Sequence, residues 1–356
     1  MKRAAHTLTT VDDLAAHGLV LPDDTDGLAA VADRYAVAVT PAMAELAHSG
    51  SAGVRAQFIP DGRELATHPA ELADPIGDAA HSPVTGIVHR HPDRVLLKIV
   101  GVCPIYCRFC FRREMIGPGE QAVLANAEID AALGYIARYA GIWEVILTGG
   151  DPLVLSPRRI GDLMRRLDQI GHVKVVRWHT RVPVVAPERI NADLVEALRT
   201  TDKTVCMAVH ANHADELTSA ARAALARLAD AGIALLSQTV LLRGVNDDVE
   251  TLEHLLRRFV ESRVKPYYLH HGDLAPGTSH FRTSIRDGLA IVAQLGARLS
   301  GLCHVVYVVD LPVAGKVALS RGNVVETAPG RYRITDPQGC THDYVDMLED
   351  TARERA

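Results

Sequence analysis

Residues 95–110 read Val-Leu-Leu-Lys-Ile-Val-Gly-Val-Cys-Pro-Ile-Tyr-Cys-Arg-Phe-Cys, a short apolar run that leads directly into three cysteines. The run Val95–Val100 has the apolar, β-branched composition of a buried strand. The cysteines that follow, Cys103, Cys107 and Cys110, have the spacing CxxxCxxC with an aromatic residue before the last one. Because ligands bind at the carboxyl ends of parallel strands, the loop that carries these cysteines is predicted to belong to a functional site.

The strand before the cysteines is the first of six similar units. Further apolar runs recur at roughly thirty-residue spacing, and they cover Glu144–Thr148, Val173–His179, Thr204–His210, Ile233–Thr239 and Pro266–His270. Segments with helical character lie between or after them, near residues 124–139, 157–169, 190–200, 214–231, 248–262 and 284–299. This alternation predicts a parallel sheet. A doubly wound sheet and an incomplete α/β barrel both fit the pattern.

The sequence on either side of these units has a different pattern of apolar and polar residues. Residues 1–88 are predicted to form a helical region, with helical spacing of apolar residues over 26–48 and a polar connector over 69–83. Residues 89–300 hold the barrel or sheet. Residues 301–356 form a C-terminal segment with a strand at His304–Asp310 and a hairpin built from Asn323–Thr327 and Arg331–Thr335. A helix is predicted at the end of the polar tail.

Composition excludes several classes of protein. The chain has 356 residues, 48% of them apolar and 23% charged, which suffices for a sizeable core and roughly two domain-sized units. A net charge of −5 argues against broad nucleic-acid binding. The apolar runs are too short to cross a membrane, and the N-terminus lacks the apolar core of a signal peptide. We therefore expect a cytoplasmic protein with no membrane or nucleic-acid partner.

The cysteine loop predicts an iron–sulfur cluster. Half of the six cysteines fall within residues 103–110, which is not the spread of a disulfide framework. Three thiolates on one loop can hold three irons of a cubane cluster and leave the fourth iron open to a small molecule. A zinc knuckle and inert buried thiols are the alternatives. A zinc site would need a fourth ligand nearby, and the sequence has none at the usual spacing.

This motif resembles the radical S-adenosylmethionine superfamily, and its surroundings resemble the lysine 2,3-aminomutase family within it. The similarity runs from about residue 89 to residue 316 and includes, in order, Arg94-Val-Leu-Leu, Cys110-Phe-Arg-Arg, Thr148-Gly-Gly-Asp-Pro-Leu, Gln238-Thr-Val-Leu-Leu-Arg-Gly-Val-Asn-Asp, Pro266-Tyr-Tyr-Leu and His280-Phe-Arg-Thr. The resemblance implies an α/β fold with a partial (β/α)6 barrel. It also implies a [4Fe-4S] cluster bound by Cys103, Cys107 and Cys110, together with S-adenosylmethionine and pyridoxal 5′-phosphate.

Five residues are predicted to contact S-adenosylmethionine. Gly149 and Gly150 follow the second strand and would let the backbone approach the methionyl group, while Asp151 would accept a hydrogen bond from its ammonium. Without the resemblance, the same three residues are an ordinary strand-to-helix turn. His210 and Gln238, at the ends of the fourth and fifth strands, are predicted to contact the nucleoside. Either of them fits equally well as a polar group at the barrel mouth.

The resemblance implies that Lys316 binds pyridoxal phosphate. The family places its pyridoxal lysine at this position, and a lysine amine forms the Schiff base with that cofactor. Lys316 is one of only six lysines and lies in the loop Asp310-Leu-Pro-Val-Ala-Gly-Lys316, where the family usually has a glycine-rich run. From spacing alone, a solvated loop lysine is the alternative.

Charged residues are predicted to bind the remaining groups. The resemblance implies that Arg90 and Arg94 bind the cofactor phosphate and that Arg112 binds the substrate carboxylate. A surface charge is the alternative for Arg112. Asp273 and Asp310 match the positions that bind the distant ammonium of lysine, which needs paired anions when it is buried. The alternative for these acids is a loop or capping role.

The implied function is interconversion of L-α-lysine and L-β-lysine, in which a 5′-deoxyadenosyl radical removes hydrogen from C3 and the amino group moves from C2 to C3. The nearest alternative is the relative that modifies a lysine of elongation factor P, which generally lacks the second acid. A non-catalytic iron–sulfur or pyridoxal-binding protein is the alternative of another class. Expected partners are L-lysine and a reductant such as flavodoxin or ferredoxin, and the sequence leaves a homo-oligomer open.

Overall fold

The computed structural model describes residue 4 and residues 6–49, 51–117 and 122–346. The helix predicted at the end of the polar tail lies outside these described residues. Within them, no helix combines the length and the apolar character that a membrane crossing requires.

A sheet of nine strands forms the centre of the described part of the chain. Its strands are adjacent in sequence order: β1 (Ile87–His91), β2 (Arg94–Val100), β3 (Glu144–Gly149), β4 (Val175–Thr180), β5 (Thr204–His210), β6 (Ala234–Val240), β7 (Lys265–His270), β8 (Val306–Leu311) and β9 (Gly315–Ala318). Strands β2 to β8 are parallel, whereas β1 and β9 are antiparallel edge strands. A doubly wound sheet reverses its strand order at a switch point, and this sheet does not. The predicted incomplete barrel is therefore confirmed.

The predicted strands are found with boundaries shifted by about two residues. The strand predicted over His304–Asp310 corresponds to β8, which adds a seventh parallel strand to the six predicted ones in the described sheet. The predicted hairpin is also confirmed, because β10 (Val324–Ala328) pairs with β11 (Arg331–Thr335) and a third strand, β12 (Thr341–Val345), pairs with β11. Tyr332 and Tyr344 of this small sheet belong to the same buried cluster as the barrel core.

Helices follow the strands in the alternation that the sequence predicts. They are α5 (Asn126–Arg138), α6 (Pro157–Asp168), α7 (Val182–Val185), α8 (Ala192–Leu198), α9 (Ser219–Asp230), α10 (Val249–Glu261) and α11 (Ile285–Arg298). Most of the longer ones begin after a side chain that accepts a hydrogen bond from the backbone of the first turn, which fixes where each helix starts. These capping residues are Ser156, Asn191, Thr218, Asp248 and Ser284.

Where the structure describes it, the N-terminal region contains four short helices, α1 (Val11–Ala16), α2 (Thr25–Arg34), α3 (Pro41–His48) and α4 (Ala52–Ala56). The helical spacing over residues 26–48 is divided between α2 and α3. The break lies at Tyr35–Thr40, because Thr40 caps α3 with an extended backbone and Pro41 cannot continue a preceding helix.

The segment after these helices lies against the loops of the barrel. It covers residues 61–83, which include the connector predicted over 69–83, and we use the name connector for this whole segment from here on. The Leu72 amide donates to the Leu274 carbonyl (2.9 Å) in the loop after β7. The Ile76 carbonyl accepts from the guanidinium of Arg90 on β1. The connector thus reaches from one edge of the open sheet to the loops between β7 and β8.

Candidate active site

A cavity of about 690 Å³ lies inside the barrel and is lined by side chains from every parallel strand. The structure brings the predicted site residues together around it, with the exception of Cys103, which is not among its lining residues. The predicted site residues that line it are Arg90, Arg94, Cys107, Cys110, Arg112, Gly149, Gly150, Asp151, His210, Gln238, Asp273, Asp310 and Lys316. Residues that the sequence places up to 226 positions apart therefore share one cavity.

The three cysteines occupy a tight loop at one end of the cavity. The Cys110 amide donates to the Cys107 carbonyl (3.1 Å). Burial raises the pKa of each thiol, that of Cys110 to about 11, so ionised sulfurs here need a cationic partner such as iron. Among the described residues, no three metal-ligating side chains converge on a point that could hold a single ion. A cubane cluster does not need such convergence, because its thiolates bind separate irons.

Gly149 and Gly150 are required by the close approach of two loops. A Cβ on Gly149, whose φ is +112°, would lie 2.3 Å from the Val100 carbonyl oxygen, and one on Gly150 would lie 2.2 Å from that of Val102. The Gly150 amide donates to the Val100 carbonyl (2.7 Å). The two glycines therefore support the backbone that leads into the cysteine loop. Contact with S-adenosylmethionine stays a prediction for both.

The Asp151 carboxylate is engaged within the protein. It accepts hydrogen bonds from Thr180 Oγ1 (2.7 Å) and from the backbone amides of Arg181 (2.7 Å), Val182 (3.2 Å) and Leu153 (3.1 Å). These bonds join the turn after β3 to the end of β4. The predicted contact of Asp151 with the cofactor ammonium stays a prediction, and its position between two strand ends is a role that the sequence did not indicate.

His210 and Gln238 are register partners on β5 and β6 and face the same cavity. His210 Nε2 lies 3.1 Å from Asn212 Oδ1. Burial and the nearby charge of Arg181 hold the pKa of His210 well below its ordinary value, so the imidazole is neutral. A neutral imidazole and an amide suit hydrogen bonding to a nucleoside, and this role stays a prediction for both residues.

Lys316 lies at the other end of the cavity in an ion pair. It is the register partner of Asp310 across β8 and β9, and its Nζ lies 2.5 Å from Asp310 Oδ2. The same Nζ is 3.3 Å from His270 Nδ1 and 5.4 Å from the centre of the Tyr268 ring. His270 is thus a site residue that the sequence analysis missed, although it is the last residue of the predicted strand Pro266–His270.

Asp273 and Asp310 have opposite electrostatic states. Burial and the neighbouring carboxylate of Asp310 raise the pKa of Asp273 to about 8. The pKa of Asp310 lies below its ordinary value, because Lys316 and His270 outweigh the opposing effect of burial. The Asp273 carboxyl has no hydrogen-bonding or ionic partner among the described side chains. At neutral pH this end of the cavity therefore holds the Asp310–Lys316 ion pair beside a largely protonated Asp273, which a bound cation would ionise.

Arg112 lies between the two ends. Its Nη2 is 3.1 Å from Asp78 Oδ2 and its Nη1 is 3.4 Å from Thr148 Oγ1. Its Nε is buried and has no hydrogen-bond partner in the described part of the chain. A buried donor without a partner is a place where an anionic ligand can bind, which fits the predicted contact with a substrate carboxylate.

Arg90 and Arg94 line the cavity near the open edge of the sheet. The Arg90 Nη1 donates to the carbonyls of Leu311 (3.3 Å) and Pro312 (3.4 Å), in the turn that leads to Lys316. Arg94 Nη1 pairs with Asp93 Oδ1 (2.8 Å). The Arg90 guanidinium therefore lies against the Lys316 segment, which suits a phosphate group bound beside that lysine, and Arg94 lines the same cavity. Phosphate binding stays a prediction for both.

Sequence reasoning missed three acids of the connector that pair with buried arginines of the site. Glu64 pairs with Arg108 (2.6 Å) and Arg113, which flank the cluster cysteines. Glu71 pairs with Arg282 near the loop of Asp273, and Asp78 pairs with Arg112. The three acids are seven residues apart, but this spacing belongs to no regular element and gave no usable signal.

Comparison with known proteins gives consistent matches. The family model described as the radical SAM superfamily matches residues 97–256. The L-lysine 2,3-aminomutase of Fusobacterium nucleatum subsp. nucleatum is 36% identical over 349 residues, which cover 94% of this chain and 82% of that protein. The L-lysine 2,3-aminomutase of Clostridium subterminale is 38% identical over 97% of this chain and 83% of its own length. The similarity thus extends well beyond the segment that the family model matches.

Proposed function

We propose the reaction of this chain from one premise: it belongs to the lysine 2,3-aminomutase family of the radical SAM superfamily. Membership of that superfamily implies a [4Fe-4S] cluster and S-adenosylmethionine. We infer that the chain is an isomerase that interconverts free L-α-lysine and L-β-lysine, and that it uses pyridoxal 5′-phosphate as well.

The observation that carries this proposal is the carboxyl group of Asp273, which has no hydrogen-bonding or ionic partner among the described side chains at the lysine end of the cavity. Asp273 and Asp310 together bring two carboxyl groups to a place where Lys316 supplies one cation. A ligand with a terminal ammonium would ionise Asp273 and pair with it. A neutral side chain would leave Asp273 protonated and form no such pair, and an acidic side chain would be repelled by Asp310. The site therefore favours lysine over shorter or uncharged amino acids.

The other end of a bound lysine would meet Arg112. Its unpartnered Nε is available to the α-carboxylate, while Asp78 and Thr148 hold the rest of the guanidinium in place. With its carboxylate at Arg112 and its side-chain ammonium at Asp273, lysine would be fixed at both ends. The carbons between them would then be held in the cavity that the cysteine loop borders, which is the positioning that radical chemistry requires.

The donor set fits the three cofactors. The cysteines would hold the cluster, Lys316 would hold pyridoxal phosphate, and Arg90 and Arg94 would bind its phosphate. When bound, the cluster and S-adenosylmethionine supply the radical that takes hydrogen from C3, and pyridoxal phosphate supplies the conjugated system through which the amino group moves. A low-potential donor such as flavodoxin or ferredoxin would supply the electron.

The protein must also remove a proton from Lys316, because only a neutral amine is a nucleophile. His270 Nδ1 lies 3.3 Å from Nζ and is in reach of that proton. Burial and the Lys316 ammonium lower the pKa of His270, so it is a neutral acceptor at neutral pH. Asp310 Oδ2, 3.4 Å from the same Nδ1, would stabilise the protonated imidazole.

An anaerobic conversion assay tests the proposal. The protein is reconstituted with iron, sulfide and pyridoxal phosphate, and then incubated with L-lysine, S-adenosylmethionine and dithionite. We expect β-lysine from the wild type, none from Lys316→Ala, and no product from norleucine, which lacks the terminal ammonium.

A protein that holds its full complement of cluster and pyridoxal phosphate but makes no β-lysine would refute the proposal. Chiral analysis of the product separates the free-lysine enzyme from an elongation factor P modifier, since the L enantiomer is expected here.

A further inference from the structure

Arg181 is a buried arginine that contacts a cysteine of the predicted cluster loop. It directly follows β4, and 5% of its surface is exposed. Its Nη1 donates to Cys107 Sγ at 2.8 Å. The sequence analysis did not single it out, because Arg181 and Cys107 are 74 positions apart.

The other groups around Arg181 hold its guanidinium in one orientation. Nη2 donates to Gln57 Oε1 (2.6 Å) and Glu216 Oε2 (2.5 Å), while the rings of Phe58 and Phe109 lie 4.6 and 5.4 Å from Cζ. These neighbours leave Nη1 directed at the sulfur. Several neighbours thus fix the orientation of the guanidinium, so its contact with Cys107 does not result from a lack of other partners.

Glu216 is itself held firmly. Its Oε1 accepts hydrogen bonds from the amides of Asn212 and His213 (both 2.9 Å) and from Gln57 Nε2 (3.0 Å). An arginine and a glutamate alone would satisfy each other as an ion pair. Here Glu216 accepts a hydrogen bond from one Nη group of Arg181, and the other Nη group donates to the sulfur of Cys107. A purely structural ion pair does not need this second contact.

We propose that Arg181 raises the reduction potential of the cluster through its hydrogen bond to Cys107, a proposal that rests on the cluster which the proposed function requires. Reduction adds one electron to the cluster and its thiolates, drawn from the low-potential donor. The added negative charge is stabilised by a nearby cation and by a hydrogen bond to a ligating sulfur. Arg181 is a positioning residue in this account, since it acts through the cysteine.

Two variants with opposite expected signs test the inference. Glu216→Gln leaves Arg181 on the sulfur with less compensation of its charge, so the potential should rise. The double variant Arg181→Gln/Glu216→Gln removes both charges and the hydrogen bond, so the potential should fall. We expect the double variant to change the reduction equilibrium constant by about tenfold, which corresponds to about 59 mV for one electron.

The readout is a reductive titration of the reconstituted holoenzyme without lysine, followed by electron paramagnetic resonance of the reduced cluster. The matched control is Arg177→Gln/Glu144→Gln, which removes another arginine–glutamate pair that lines the same cavity (2.9 Å, 10% and 13% exposed) but has no hydrogen bond to a cysteine of the cluster loop. Its cluster potential should equal that of the wild type.

An unchanged potential in the double variant would overturn the inference, and Arg181 would then be merely structural. If the double variant fails to assemble a cluster, Glu216→Gln decides the matter, because a potential that does not rise contradicts the inference. The titration needs no lysine, so its outcome is separate from a failure to make β-lysine. A wild-type protein that assembles no cluster would contradict both the inference about Arg181 and the proposed function.

Discussion

The two ends of the cavity are built in different ways. At the cluster end, the cysteines are neighbours in sequence, and the arginines around them, Arg108, Arg113 and Arg181, are paired with the buried acids Glu64 and Glu216. At the lysine end, Asp310 and Lys316 lie on the paired strands β8 and β9, whereas Asp273 comes from the loop after β7. There the structure shows one short ion pair and one carboxyl without a partner among the described residues.

The difference shows how charge separates fixed parts from binding parts. A buried ion pair whose lone pairs and protons are satisfied holds its segments in one place, and breaking it is costly. An acid without a partner, such as Asp273, can be ionised and paired by a cationic ligand. The cluster end is therefore suited to hold a reactive group rigidly, whereas the lysine end is suited to exchange partners as a substrate enters and leaves.

The largest expected effect is on stability, at the cluster end. Glu64→Gln leaves Arg108 and Arg113 buried without their acid, so the free energy of unfolding should fall by about 3–5 kcal/mol. Denaturant unfolding of the purified protein measures this.

The control is Glu253→Gln, whose partners Arg257 and Arg298 are 50% and 44% exposed, and the expected loss is about 0.5 kcal/mol. Equal losses of unfolding free energy in Glu64→Gln and Glu253→Gln would contradict the structural role that distinguishes the cluster end from the lysine end.

The next effect is on substrate binding, at the lysine end. Asp273→Asn removes the free acid but keeps its shape, so kcat/KM for lysine should fall by roughly 30-fold to several thousand-fold, as for loss of one partner of a buried charge pair. Its stability should not decrease, because Asp273 has no described partner to lose.

Asp287→Asn, at an aspartate that is 64% exposed, is the control and should leave kcat/KM unchanged. A loss of stability in Asp273→Asn that matches that of Glu64→Gln would mean that both ends are structural.

The pH dependence of lysine binding should also come from Asp273. Its folded pKa of about 8 lies above its ordinary value, so the group holds a proton across the window between the two values and the unfolded chain does not. Its contribution to stability therefore falls as pH rises through that window. Lysine binding needs the ionised form, so affinity should increase up to about pH 8 and level off.

The apparent KM for lysine at several pH values measures this dependence. The same profile in Asp273→Asn is the control, and it should be flat over that range. A wild-type profile that is flat as well would assign the proton to another group.

The smallest effect is expected between the two ends. Thr148→Val removes one hydrogen bond to Arg112 (3.4 Å) but leaves the ion pair with Asp78 intact. KM for lysine should rise roughly 2- to 10-fold with stability nearly unchanged. Steady-state kinetics measure the change, and a loss as large as that of Asp273→Asn would show that Arg112 depends on Thr148 rather than on Asp78.

The sequence predicts the cysteine loop at the cluster end better than it predicts the side-chain contacts that hold this loop in place. The cysteine spacing and the strand before it are local patterns, and strand alternation identifies the parallel sheet. Lys316 has no local signal, and only the resemblance to a family singles it out. The pairing of Glu64 with Arg108 and of Arg181 with Cys107 could not be predicted, because both join loops whose approach is decided by the folded chain.

The central claim is that both ends of the cavity act on one lysine molecule. The most direct test is to incubate the reconstituted enzyme with L-lysine that carries deuterium at C3, and to analyse both the recovered S-adenosylmethionine and the product. We predict deuterium at the 5′ carbon of the recovered S-adenosylmethionine as well as in β-lysine. Formation of β-lysine with no deuterium in S-adenosylmethionine would contradict the account.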